Sequence, residues 1–179
     1  MENYPLKIFS SGEYLIKELT EKEFREKTHY ERDHETLSNV LIETGGDGDL
    51  PTPQSVQTKA KTLLKRLNGI RRAFGLYYND EYFGYISFVG YDSITPEIQI
   101  ELNELFRNKG IGFRVLSLLI NQIFEERSDI EYFRYCVLVD NIASIKLVEK
   151  LGGKKIETGH FIEQIISKYH IARPQNVLK

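Results

Sequence analysis

Apolar and polar side chains alternate from Glu13 to Leu19 and, strictly, from Glu97 to Leu102, the pattern of strands with one buried face. After the first run, Thr20 and the Glu23 three residues on form a capping-box signature, which predicts a helix starting there. The charged stretch beyond it, through ERDHETLSNVLIE, reads as a second or interrupted helix. Gly45 to Pro53 is loop, dense in glycine, aspartate and proline. Thr52 is then an N-cap and Pro53 a first helical residue, with Val56, Ala60, Leu63, Leu64 and Leu67 at helical spacing up to Asn68-Gly69. Ile70 to Tyr78 and Tyr82 to Tyr91, joined by Asn79-Asp80-Glu81, predict an antiparallel pair rich in aromatic and β-branched residues. Gly112 to Arg127 predicts an amphipathic helix, Tyr132 to Val139 a buried strand, and Ala143 to Leu151 a helix stopped by Gly152-Gly153. Lys155 to Ile171 supplies one or two closing strands. The sum is a mixed α/β domain over residues 1–179: a helical entry, an antiparallel meander, then strand–helix–strand–helix–strand, with no repeat or linker to divide it.

Composition narrows the classes of function. A chain of 179 residues, 41% apolar and 28% charged, is long enough to bury a core and too apolar for global disorder. Its net charge of −2 argues against bulk electrostatic binding to nucleic acid. One cysteine, Cys136, cannot form an internal disulfide, and four scattered histidines assemble no zinc cluster, so no metal is expected. Cys136 reads as a small core residue. The opening MENYPLKIFSSGEYL lacks the layout of a signal peptide, and the most apolar run, VLSLLINQIF, is too short to cross a membrane. A cytoplasmic protein without membrane partners is the expectation. The charge is uneven, however: residues 1–50 hold 12 acidic and 6 basic side chains, and the other 129 hold 14 acidic and 18 basic.

Two segments carry candidate chemistry. Arg107-Asn108-Lys109-Gly110-Ile111-Gly112 lies between the alternating strand and the amphipathic helix. Glycines there let backbone N–H groups approach a ligand, the helix N-terminus adds partial positive charge, and Arg107, Lys109 and Arg114 add full charges, a combination suited to pyrophosphate. A helix-capping glycine pair is the plainer alternative. The loop is neither the G-x-G-x-x-G dinucleotide fingerprint nor a P-loop. The second segment, Asp140-Asn141-Ile142-Ala143-Ser144, opens the next helix at the end of a strand, where Asn141 is at least an N-cap.

Together these segments resemble the GNAT superfamily of acyl-CoA-dependent N-acyltransferases, nearest its ribosomal-protein N-terminal acetyltransferase-like branch. RNKGIG is similar to the family's pyrophosphate loop, N-x-x-S followed by K-x-G to its second cofactor segment, and EIQIEL to its central strand. The resemblance implies a mostly antiparallel twisted sheet of about six or seven strands, splayed at the cofactor site and flanked by about four helices. It implies transfer of an acetyl group from acetyl-CoA to a primary amine of a small molecule or peptide N-terminus, by direct attack in a ternary complex. A non-catalytic acyl-CoA-binding module is the alternative. It further implies that Ile100 and Leu102 pair with pantetheine, that Arg107, Asn108, Lys109, Gly110, Ile111 and Gly112 hold the pyrophosphate, and that Asn141 and Ser144 bond the pantetheine arm. Glu97 or Glu101 would take the amine proton, or both are exposed strand charges. Many family members place a tyrosine acid seven residues after the asparagine; here that position is Val148, and Ser144 is the substitute candidate for protonating the thiolate. The acidic N-terminal region would favour a cationic acceptor, and a homodimer is expected by resemblance. Of Tyr77, Tyr78, Tyr82, Tyr85, Phe88 and Tyr91, alternation sends some to the core and some toward an acceptor cleft.

Overall fold

The protein is described from a computed structural model, which covers residues 8–11, 14–28, 70–161 and 164–174. The chain runs β1 (Ile8–Ser11), β2 (Tyr14–Leu19), α1 (Glu21–Lys27), β3 (Arg71–Tyr78), β4 (Glu81–Val89), β5 (Glu97–Leu102), α2 (Ile111–Glu126), β6 (Tyr132–Leu138), α3 (Ile142–Lys150), β7 (Lys154–Phe161) and β8 (Gln164–Ala172). A short 3₁₀ turn, Glu104–Phe106, follows β5. All strands among the described residues form one sheet in the order β1-β2-β3-β4-β5-β6-β8-β7, antiparallel throughout except for β5 beside β6.

The predicted mixed α/β class is borne out, as is the order of those predicted strands and helices that fall within the described residues. The sheet has eight strands where about six or seven were expected, because the closing segment makes two and Ile8–Ser11 adds an outer one. Three α-helices are seen among the described residues. The Thr52–Leu67 helix and the charged stretch after α1 lie outside them.

Alternation sorts the side chains onto two faces. Phe74, Leu76, Ile86, Phe88, Ile98, Phe133 and Val137 point to one face, where Val115, Leu116, Leu119, Ile123 and Phe124 of α2 and Val148 of α3 complete the main core. Ala73, one residue from Phe74, points to the other face and packs with Leu19, Phe24 of α1 and Tyr85. Among the described residues no helix is long and apolar enough to cross a membrane.

The α1 capping box forms as its spacing predicts. Glu23 N donates to Thr20 Oγ1 at 3.2 Å, and Thr20 N donates back to Glu23 Oε2 at 2.8 Å. Lys17 Nζ donates to Glu23 Oε1 at 2.9 Å. Thr20 Oγ1 also donates to Glu23 Oε2 at 2.9 Å, and the bonds to the carboxylate, from Lys17 foremost and then from Thr20 N and Oγ1, pull it down to about 2 from its ordinary 4.5. A depressed carboxyl contributes stability that is complete above pH 4.5 and is lost as pH falls through 2. Thermal melts of Glu23→Gln should therefore lose less on acidification from pH 5 to pH 2.5 than those of the wild type. Thr20→Ala should cost about 1 kcal/mol at neutral pH by chemical denaturation.

Candidate functional site

β5 stays in register with β4 over its whole length, from Val89↔Glu97 to Gly84↔Leu102. With β6 it pairs only at Glu97↔Arg134 and Ile98↔Tyr135. The phase of alternation is fixed at both ends: Pro96 O accepts from Arg134 N on the β6 side, and Asn103 N donates to Phe83 O on the β4 side. The backbone groups of Ile100 and Leu102 therefore point toward β6, beyond the last pair of the ladder. A cleft between parallel strands results, edged by the N–H and C=O of Ile100 and the N–H of Leu102. The Leu102 carbonyl is taken by Arg107 Nε at 2.7 Å, which ties the following loop to the strand end. β4 carries a register shift beside this region, and Gly84 lies so close to β5 that a Cβ would stand 2.2 Å from Glu101 O. No side chain fits there, so glycine lets β4 and β5 hold their pairing while β5 parts from β6.

The loop to α2 is pinned by Phe106, whose ring stacks on Phe83 at 4.2 Å between centroids. Asn108 (φ +58°) and Gly110 (φ +74°) are left-handed, a sequence of turns that makes a concave run of backbone N–H groups. Gly110 is the N-cap residue of α2, and no atom lies within 4 Å of the place its Cβ would take. The first N–H groups of α2 have no intrahelical acceptors and face this open space with the helix's partial positive charge. Arg107, Lys109 and Arg114 stand exposed around it. Ile111 and Gly112 are buried. A Cβ on Gly112 would meet Leu102 Cδ1 at 3.4 Å, Ile100 Cδ1 at 3.5 Å and Leu147 Cδ2 at 3.7 Å, so α2, α3 and the end of β5 converge there. All the residues of the predicted pyrophosphate loop are thus brought to the carboxyl end of the cleft.

The second segment begins α3 across the cleft. Asn141 Oδ1 accepts from Ser144 N at 3.1 Å, so its oxygen caps the helix, and its amide NH₂ can donate to a ligand. Ser144 is half-buried, and its Oγ lies 2.7 Å from the hydroxyl of Tyr135 on β6. Burial raises the Tyr135 phenol above its usual 10, with the Ser144 bond opposing, so it is protonated at neutral pH. Val148 is fully buried in the main core, and its Cγ2 would sit 2.6 Å from a Cβ on Gly153. Gly153 N donates to Val148 O at 2.9 Å, so the glycine just past the end of α3 packs directly on Val148.

The two carboxylates differ in setting. Glu97 is 5% exposed at the closed root of the cleft, whereas Glu101 is exposed, opposite Tyr85 and close enough to Tyr82 to raise its phenol. Burial is the larger cause of that Tyr82 shift. Four residues of strand separate the two carboxylates by about 13 Å, so they cannot serve one proton together. Tyr77, Tyr82 and Tyr85 share the α1 face with Glu101, with Lys27 Nζ 5.1 Å from the Tyr82 ring centre, while Tyr78, Phe88 and Tyr91 pack into or against the main core. The sequence alone assigned no role at the site to Phe106 or to Tyr135, the latter one more aromatic of a buried strand.

Comparison with known proteins agrees with this geometry. Residues 16–154 match the family model described as an acetyltransferase (GNAT) domain. No curated protein matches the sequence. Among solved structures, RimL, a ribosomal L7/L12 alpha-N-protein acetyltransferase in complex with coenzyme A, superposes with a TM-score of 0.59 at 18% identity, covering 93% of this chain and 98% of its own. Spermidine N-acetyltransferase from Vibrio cholerae, in complex with CoA and spermine, gives 0.56 at 14% identity over 89% and 95%. Ribosomal-protein-S5-alanine acetyltransferase from Vibrio fischeri gives 0.57 at 14% identity over 92% and 97%. At these identities the likeness is one of fold, whereas the family model spans most of the chain: the protein belongs to the GNAT acetyltransferase domain family, and is an acyl-CoA-dependent N-acyltransferase.

Proposed function

We propose that the protein moves an acetyl group from acetyl-CoA to a primary amine, of a small molecule or of a peptide N-terminus, by direct attack in a ternary complex. The observation that carries this reading is the parting of β5 from β6 beyond Ile98, which presents Ile100 and Leu102 backbone groups to an extended amide-bearing arm. Pantetheine has the amides to pair with such an edge, and the Arg107–Gly112 loop at its open end suits the diphosphate. An Ile100 N–H aimed at the thioester carbonyl would stabilise the oxyanion.

Attack requires a neutral amine, and Glu101 is the base this reading selects. It is exposed on the face bearing Tyr82 and Tyr85, beside the strand segment that lines the cleft. Glu97, buried at the root, is the second candidate. Glu101→Gln should lower kcat/KM about 100-fold at neutral pH, with Glu97→Gln affecting turnover less. The reverse ranking would move the role to Glu97.

The acceptor class follows from charge. The acidic excess of residues 1–50 and the carboxylate of Glu101 favour a cationic amine such as a polyamine, an aminoglycoside or a basic peptide. KM for such an acceptor should then rise with added salt; an unchanged KM removes the electrostatic part of the proposal. A homodimer joined at the β7 edge, where Ile156 is exposed, completes the reading, and sedimentation equilibrium tests it.

Thiol release from acetyl-CoA across a panel of amines and peptides is the test of the activity. A second reading rests on Val148, which leaves α3 without a hydroxyl at that position: a module that binds acyl-CoA without turning it over. CoA binding by calorimetry with no acetyl transfer to any amine would favour it.

A further inference from the structure

With Val148 sealed in the core, the departing thiolate needs a hydrogen-bond donor from elsewhere. We propose that Tyr135 is the positioning residue for that donor: its phenol donates to Ser144 Oγ and so aims the Ser144 hydroxyl hydrogen into the cleft between β5 and β6. This rests on the transferase reading above, and it assigns a role to a side chain that the reading does not use.

The geometry supports each part. Tyr135 is the β6 residue at the last pair with β5, so it stands where the strands part. Ser144 lies in the first turn of α3, and Leu147, one turn on and on the same face, reaches the Gly112 position that abuts Ile100 and Leu102. The face of α3 bearing Ser144 is therefore turned to the cleft. The Tyr135 and Ser144 oxygens are 2.7 Å apart, and the phenol is 3% exposed in the main core. A serine hydroxyl rotates freely unless its oxygen is occupied; accepting from a fixed phenol leaves its own hydrogen for a second acceptor. The Ser144 N–H is already committed to Asn141 Oδ1, which fixes the backbone beneath.

In the reaction the amine nitrogen forms the new C–N bond and the C–S bond breaks, its electron pair passing to sulfur. Ser144 donates a hydrogen bond to that sulfur as charge develops. The proton that finally joins it is the one shed by the amine, carried through the base and water. No proton leaves Tyr135.

Tyr135→Phe removes one oxygen and keeps the ring, so packing is retained. It is expected to lower kcat about tenfold with KM for acetyl-CoA within about twofold, the size of a charge-assisted bond partly misaimed. In a Ser144→Ala background the same change should have no further effect. Ultraviolet titration of enzyme-bound CoA should show its thiolate forming at lower pH in the wild type than in Tyr135→Phe. A Tyr135→Phe enzyme with unchanged kcat, or a loss that adds in full to that of Ser144→Ala, overturns the inference alone. A wild-type protein that transfers acetyl to no amine overturns the transferase reading and this inference with it.

Discussion

Replacing Gly110 by arginine is expected to abolish CoA binding while leaving the protein folded. The left-handed backbone there, φ +74°, penalises any side chain by about 1–2 kcal/mol. No clash adds to this, because nothing stands within 4 Å of the Cβ position. The melting temperature should fall by about 2–4 °C for each kcal/mol of that strain. Binding should suffer far more, since the side chain occupies the open space before the first N–H groups of α2. A loss of the phosphate seat corresponds to about 1000-fold in Kd, or about 4 kcal/mol. Gly110→Ala separates the two effects: it carries the strain without the bulk and should cost less than about tenfold in affinity. Calorimetry with CoA reads all three proteins. Equal affinities for wild type and Gly110→Arg would mean that the loop does not hold the diphosphate.

The second large effect concerns stability at the opposite end of α2. Arg72 is buried and gathers three elements: Nε donates to Glu18 Oε1 on β2 at 2.7 Å, and Nη1 to Glu126 Oε2 of α2 at 2.6 Å and to the Tyr91 hydroxyl at 2.8 Å. Burial disfavours the Arg72 charge, but the two carboxylates more than offset that and raise its pKa. Arg72→Met should destabilise the protein by about 3–5 kcal/mol, because Glu18 would stay buried with its countercharge gone. The pair itself contributes less than that figure, so Glu18→Gln combined with Arg72→Met should recover part of the loss. Urea unfolding checks this, with an unchanged m-value showing that the fold itself is kept. A loss below about 1 kcal/mol would mean that water reaches the cluster.

Local signals accounted for much of the fold. The α1 capping box, the α2 amphipathic stripe, the strict alternation of β5 and the Asn79-Asp80 turn each depend on side chains a few residues apart, and each formed as its pattern predicts. The RNKGIG loop was legible for the same reason. The cleft beside it was expected only through the family resemblance, since strand separation is a relation between β5 and β6, more than 30 residues apart, and no pattern within either strand marks where pairing stops. Close approach at Gly84 gave no signal because a strand glycine has several uses. Tyr135 meets Ser144 across a strand-to-helix turn, a spacing of nine residues that matches neither helix nor strand periodicity. No local pattern marks Arg72, because its partners lie 19 or 54 residues away.

The proposed seat of CoA is β5 where it leaves β6, and hydrogen–deuterium exchange with and without CoA addresses that placement directly. Slower exchange on CoA addition is predicted at the amides of Ile100 and Leu102 and of residues 110–113, with the amide of Glu101, which points to β4, unchanged. Heat of CoA binding without protection of Ile100 and Leu102, or with protection confined to another edge of the sheet, would contradict it.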